Sequence, residues 1–296
     1  VLTARLWRLL AYAYDRDQFT FTLALEPSLR AVETARRAGD PDVLADALTQ
    51  HAFVAIRFQH LDQARDALTQ AGAIMPPSGA RRLAMQAGSS YLATLAGEFD
   101  EAARLQLAVM ETHRFLGNRL GEIRATSNLA EIEQARGNIG RAVQLAQHLQ
   151  VLTQNEPLAR DINELNLAGY LLQLGDPESA REPARRALEH FSEREPGGAA
   201  VGHAALIAAL VGAARHAAHL MGYVDRMYDE LGIFREPNEE QVHSKLRNIV
   251  AAALTDADRT AAVAEGATWD HRRAVAEAER FVRPAARDNR TSGTGA

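Results

Sequence analysis

The segment Asn128–Leu149 reads NLAEIEQARGNIGRAVQLAQHL, and Asn166–Leu188 reads NLAGYLLQLGDPESAREPARRAL. Both open Asn-Leu-Ala, both place glycine nine residues on (Gly137, Gly175), and both place alanine five beyond that (Ala142, Ala180). The skeleton extends in both directions. Ala64 takes the alanine role in AFVAIRFQHLDQARDALTQAGAIMPP, Ala102 in SSYLATLAGEFDEAARLQLAV and Ala217 in AALIAALVGAARHAAHLMGY. These anchors stand 38, 40, 38 and 37 residues apart, and a steady period in that range is the signature of stacked helical hairpins.

Each position has a physical role. A small residue on the first helix (Ala52, Ser90, Ala130, Ala168, Ala205) lets its partner helix cross closely. Glycine at the turn (Gly97, Gly137, Gly175, Gly212) can take the left-handed conformation that ends a helix. Leu61, Phe99 and Ile139 staple the turn, and the anchor alanine sits where the second helix presses on the first. Apolar residues three, four and seven further on fill the space between hairpins.

The pattern resembles the tetratricopeptide repeat, whose small residue, glycine, alanine and terminal proline are matched by Ala52, Gly97, Ala64 and Pro76 in one repeat or another. The usual repeat is about 34 residues long. Here extra helical turns lengthen it, and the family's first-helix tryptophan is absent. The resemblance covers residues 41–233 and implies an all-α, right-handed superhelical array of about six hairpins. In DPESAREPARRAL, Asp176 and Pro177 make a good helix start, whereas Pro183 removes a backbone bond and predicts a kink on the solvent side or a restart near Glu182.

Composition agrees with that class. Of 296 residues 47% are hydrophobic but only 6% aromatic, which favours closely packed helices with small contacts over a branched, aromatic sheet. The formal net charge of -5 argues against a dominant nucleic-acid or anionic-membrane surface. Lys245 is the one lysine among 33 basic residues, a bias we read as genomic. Without cysteine, disulfides, thiolate chemistry and cysteine-based zinc sites are excluded, which suits the cytoplasm. The most apolar stretch, GAAVGHAALIAALVGAA at 198–214, falls short of the roughly 20 residues a spanning helix needs and reads as a buried helix.

Residues 1–40 read as a degenerate hairpin or cap ending at Gly39, residues 234–284 as a C-terminal helical cap, and residues 285–296 as a disordered tail. The C-terminal part resembles the tail of bacterial STAND-type ATPase signalling and transcriptional regulators. Ala217, Ala218, Leu220 and Gly222 match the family's Ala-Ala-x-Leu-x-Gly, and Glu265, Gly266, Asp270, Ala274 and Val275 match its second element. Trp269 stands where the family usually has a smaller aliphatic residue. Physically, Gly266 is expected to end one helix and Asp270 to cap the next. The resemblance implies an effector domain and a nucleotide-binding motor elsewhere in a longer protein. The chain itself has no Gly-x-x-x-x-Gly-Lys and begins at valine, so it reads as a fragment.

No constellation of catalytic residues emerges, and no cofactor is implied. His216 and His219 lie three apart on one helix face, but a third metal ligand is missing, so no metal site is assigned. Acid pairs such as Asp100–Glu101 suit helix N-termini and solvation. The arginine pairs form no stripe with aromatics, and direct nucleic-acid contact is not expected.

The inner groove is the better place to look. In helical-hairpin arrays the first helices line it, and by register it includes Gln50, Phe53, Arg57, Tyr91, Arg124, Asn128, Glu131, Gln134, Asn166 and Gln173. Such a mix of amide, aromatic and charged groups suits a protein or peptide partner, or a small-molecule inducer. The leading expectation is a non-enzymatic sensor module of a STAND-type regulator, working with other domains of the same chain. The alternative is a free-standing peptide receptor of the quorum-sensing type, and the third is an all-helical enzyme.

Overall fold

The computed structural model describes all residues except 17–19, 76–78, 192–197, 232–234, 236 and 284–296. The expected tail, the repeat-ending Pro76 and the expected boundary at 233 lie outside the described residues. Among the described residues there are fifteen α-helices and no strand, so the all-α array of helical hairpins is what the chain forms. It divides into two compact units, residues 1–132 and 133–296.

The first unit holds α1 (Leu2–Arg16), α2 (Leu25–Ala38), α3 (Pro41–Arg57), α4 (Leu61–Ile74), α5 (Ala80–Leu95), α6 (Phe99–Phe115) and most of α7 (Arg119–Ala135). Helices α1 and α2, α3 and α4, and α5 and α6 pair as hairpins, with α2 packed on α3 and α4 on α5. In the second unit are α8 (Ile139–Leu152), α9 (Pro157–Leu174), α10 (Pro177–Phe191), α11 (Gly198–Leu210), α12 (Ala214–Leu231), α13 (Pro237–Ala253), α14 (Asp256–Gly266) and α15 (His271–Val282). There α9 pairs with α10 and α11 with α12, while α13 lies on α9 and α11, α14 on α12, and α15 on α10 and α11.

The turns are built as their spacing requires. Gly137 has φ 85°; its N–H donates to the Gln134 carbonyl at 3.0 Å, and the Asn138 N–H donates to the Glu133 carbonyl at 2.8 Å. This paired closure satisfies two carbonyls that the ending helix leaves open. The same pair of bonds closes the turns at Gly97, Gly175 and Gly212. In the hairpin anchored by Ala64 the turn position is Gln59, which adopts φ 60° with the same two bonds.

The anchors Ala64, Ala102, Ala142, Ala180 and Ala217 are all 0% exposed, and Ala52, Ser90, Ala130, Ala168 and Ala205 are buried as well. At the α5–α6 crossing the Ser90 hydroxyl donates to the carbonyl of Ala102 at 2.9 Å, so the small residue and the anchor meet directly. A bulkier pair would hold the helices apart and forfeit that contact.

Pro183 corrects one expectation. Helix α10 runs unbroken from Pro177 to Phe191, and Pro183 is buried rather than on the solvent side. It lies three residues after Ala180, on the face shared with Ala184, Ala187 and Leu188, so its ring is packing material. The helix start is as expected: Asp176 accepts a hydrogen bond from the Ser179 N–H at 3.0 Å.

Candidate functional site

In the first unit helices α1, α3, α5, α6 and α7 line a cleft of about 610 Å³, within the range typical of ligand sites. Four elements of the repeat pattern feed it. From α3 come Asp46, Thr49, Gln50 and Phe53; from α5, Arg81, Leu83, Ala84 and Ala87; from α6, Gln106, Val109 and His113; from α7, Gly121, Arg124, Ala125 and Asn128. Helix α1 adds Arg8, Tyr12 and Asp15. Gly121 leaves room for the His113 side chain of α6 here, because a Cβ on it would stand 2.6 Å from Cγ of that ring.

Polar groups of the cleft are partly committed. Gln50 Nε2 donates to Asp15 Oδ2 at 3.4 Å, and Arg57 faces Asp15 Oδ1 at 3.5 Å. Arg81 Nε donates to Asp46 Oδ1 at 2.9 Å, and its other end meets Asp42 at 3.1 Å. Gln106 Nε2 donates to the Ala125 carbonyl at 3.2 Å. The His113 pKa is lowered by burial and by the nearby Arg124 charge.

Of the ten groove residues expected from register, Gln50, Phe53, Arg124 and Asn128 line this cleft. Arg57 stands at the end of α3, occupied with Asp15. Tyr91 is 47% exposed on α5, and Glu131 is exposed on α7, and neither lines the cleft. The remaining three belong to the second unit, where a run of side-chain amide hydrogen bonds links them to α13. Gln134 donates to Gln173 Oε1 at 3.3 Å, Gln173 donates to Asn238 Oδ1 at 2.6 Å, and Asn238 donates to Asn166 Oδ1 at 3.4 Å. Asn238 fits because Gly169 faces it, where a Cβ would lie 2.8 Å from its amide nitrogen. Lys245 reinforces the contact by donating to the Leu172 and Gln173 carbonyls at 2.9 and 3.2 Å, a cation at the C-terminal end of α9.

Sequence reasoning missed Arg8, Asp15, Asp46, Arg81 and His113. Asp46 was within reach: it stands eighteen residues before Ala64, as Arg124 does before Ala142. Arg8 and Asp15 carried no such signal, because α1 falls outside the clear repeats.

Among the described residues no group of three or more histidine, cysteine or carboxylate side chains could hold a metal ion. His219 faces Glu265 Oε2 at 3.2 Å, and its ring lies 5.1 Å from that of Trp269. Trp269 itself is buried, with the Arg273 guanidinium 4.5 Å above its ring, and Asp270 caps α15 by accepting from the Arg273 N–H at 2.7 Å. No described helix is long and apolar enough to cross a membrane.

Hairpins repeated about a buried alanine, a glycine turn and an inner face of mixed polarity define a helical repeat protein of the tetratricopeptide-like class. No protein-family model matches the chain, and no curated protein matches it. Among solved structures it is similar to the Rap protein complexed with competence and sporulation factor, with a TM-score of 0.61 and 15% identity, covering 86% of this chain and 77% of that one. It is also similar to BtubC (BKLC) from P. vanneervenii, with a TM-score of 0.52 and 16% identity, covering 78% of this chain and 91% of that one. At these identities the similarity is one of fold.

Proposed function

We propose that the chain is a non-enzymatic interaction module that holds a segment of a protein or peptide in the cleft of its first unit. The observation that carries this reading is the convergence of Gln50, Phe53, Arg124 and Asn128 with α1 residues around one open cleft. Arg124 and Asn128 are exposed there and make no hydrogen bond or ion pair among the described residues, so both are available to a ligand. On this reading residues 41–233 carry the binding repeats and residues 234–284 close the array.

Two settings for such a module have support of different kinds. The tail residues Gly222 and Gly266 favour a sensor segment of a STAND-type regulator, in which ligand binding biases the state of other domains through a difference in affinity for two conformations. The fold similarity to a Rap protein complexed with competence and sporulation factor favours the peptide-receptor setting. Both require the same cleft to bind.

Panning a phage-displayed random peptide library on the chain, then titrating recovered peptides by calorimetry, tests the reading. The double variant Asn128→Ala with Arg124→Ala is expected to keep its circular dichroism spectrum. Its affinity is expected to fall roughly ten- to a hundredfold, the cost of a lost charge-assisted hydrogen bond. Recovery of no peptide, or undiminished binding by the variant, removes the cleft as the site.

A further inference from the structure

We infer that the segment held in this cleft is acidic, with an Asp or Glu side chain seated between Arg8 and Arg124. The inference rests on the interaction-module reading and adds the chemistry of the ligand.

The charges of the cleft do not cancel locally. Five formally charged side chains line it: Arg8, Arg81, Arg124, Asp15 and Asp46. Arg81 is neutralised by Asp46 at 2.9 Å and Asp42 at 3.1 Å. Asp15 is engaged by Arg57 at 3.5 Å. Arg8 and Arg124 are left over, and neither forms an ion pair or hydrogen bond among the described residues. The Arg8 Nε is in addition buried without an acceptor. An unpaired guanidinium on a cleft wall has its remaining N–H donors open to an acceptor from outside the chain.

Two further features set the kind of anion. Phe53, Leu83 and Val109 wall the cleft with apolar surface, which lowers the local dielectric and strengthens an ion pair formed there. Asn128 offers a free amide beside Arg124, suited to the backbone of an extended segment. Only Arg8 and Arg124 are left unpaired in the cleft, too few cations to hold a polyanion, which disfavours nucleic acid and leaves a singly charged carboxylate as the better fit. The chain as a whole carries a formal charge of -5, so the positive spot is a local exception and not part of a basic surface.

Three rhodamine-labelled, end-blocked hexapeptide pools of equal apolar content test this by fluorescence anisotropy, one carrying Asp and Glu, one Asn and Gln, one Lys and Arg. The acidic pool is expected to bind at least about tenfold tighter than the amide pool, and its affinity to fall with added salt. Arg8→Gln and Arg124→Gln are each expected to bring the acidic pool down toward the amide pool. Arg104→Gln, whose guanidinium is paired with Glu101 outside the cleft, is expected to change nothing. If Arg8→Gln fails to fold, Arg124→Gln and the salt dependence decide. Equal binding of acidic and amide pools, or preference for the basic pool, with Asn128→Ala still weakening all of them, overturns the acidic ligand and leaves the interaction module standing. Binding by no pool, or binding insensitive to Asn128→Ala, overturns both.

Discussion

Gly222 and Gly266 bring the backbones of α12 and α14 into direct contact. A Cβ on Gly222 would stand 2.8 Å from the carbonyl carbon of Val263, and one on Gly266 would stand 2.6 Å from Cα of His219. The two halves of the tail pattern, far apart in sequence, are therefore the two sides of one helix crossing. Gly266 is the last residue of α14, as expected, but its φ is not left-handed, and its role is close approach. Either glycine changed to alanine is expected to force the helices apart and destabilise by about 1–3 kcal/mol or more. Gly202→Ala, in open space on α11, is expected to gain up to about 1 kcal/mol from helix propensity. Urea melts compare the three, and equal midpoints for all would contradict the crossing.

Gln59 stands where the other clear repeats place glycine, and it is the one described residue other than glycine with positive φ. An L side chain in that conformation costs about 1–2 kcal/mol relative to glycine. Gln59→Gly is thus expected to stabilise by about 1 kcal/mol, and Gly137→Ala to destabilise by a similar amount. Thermal or urea unfolding that ranks the pair the other way would show that the turns are closed differently.

The buried anchors predict an asymmetry on one helix. Ala142→Leu is expected to cost about 1–3 kcal/mol by overpacking, whereas exposed Gln147→Leu on the same helix is expected to be nearly neutral. Equal urea midpoints for the two variants would refute the assigned faces of α8.

His203 makes stability depend on pH. It is fully buried with neither ring nitrogen hydrogen-bonded, and burial pushes its pKa from 6.5 down to about 4. An unfolded imidazole takes up its proton near pH 6.5, whereas the folded one resists until about pH 4. Stability present above pH 6.5 is therefore lost across that window as pH falls, by about 1.4 kcal/mol per pH unit. Burial lowers His51 and His243 in the same direction, so acid sensitivity is shared. His203→Leu, which removes two unmet polar atoms of similar bulk, is expected to flatten part of the slope between pH 6.5 and 4. Unfolding curves of the variant that keep the full slope would assign it to the other histidines.

The repeat was legible because its determinants are local. A glycine at the turn, an alanine five residues on and a small residue twelve before that alanine are neighbours along the chain. Helix geometry alone carries them onto one crossing. The same register placed Gln50, Phe53, Arg124 and Asn128 on the inner face. It also read Asp176 and Asp270 as helix caps. Pro183 shows the limit: the sequence predicts a solvent-side kink or a restart, whereas the helix runs unbroken and the ring packs on the face it shares with Ala184 and Ala187.

What the sequence alone determined is therefore the element, its turn and the face each residue occupies. What only the tertiary structure decided is whether that face stays open. Gln50, Asn128, Asn166 and His203 each stand fourteen residues before an anchor alanine and are equivalent in register. Gln50 and Asn128 line a cleft; Asn166 is bonded to Asn238 of α13; His203 lies fully buried on α11, where α13 and α15 pack. Nothing near Asn166 in the chain announces this, because its covering helix begins about seventy residues later, outside the repeat; at His203 the apolar stretch 198–214 announces burial but not the helices that provide it. Arg8 is the converse case, a cleft residue supplied by a helix that does not follow the pattern. Periodicity reports the faces of a helix through bonds along the chain, whereas openness depends on which distant surface finds a lower free energy by packing there.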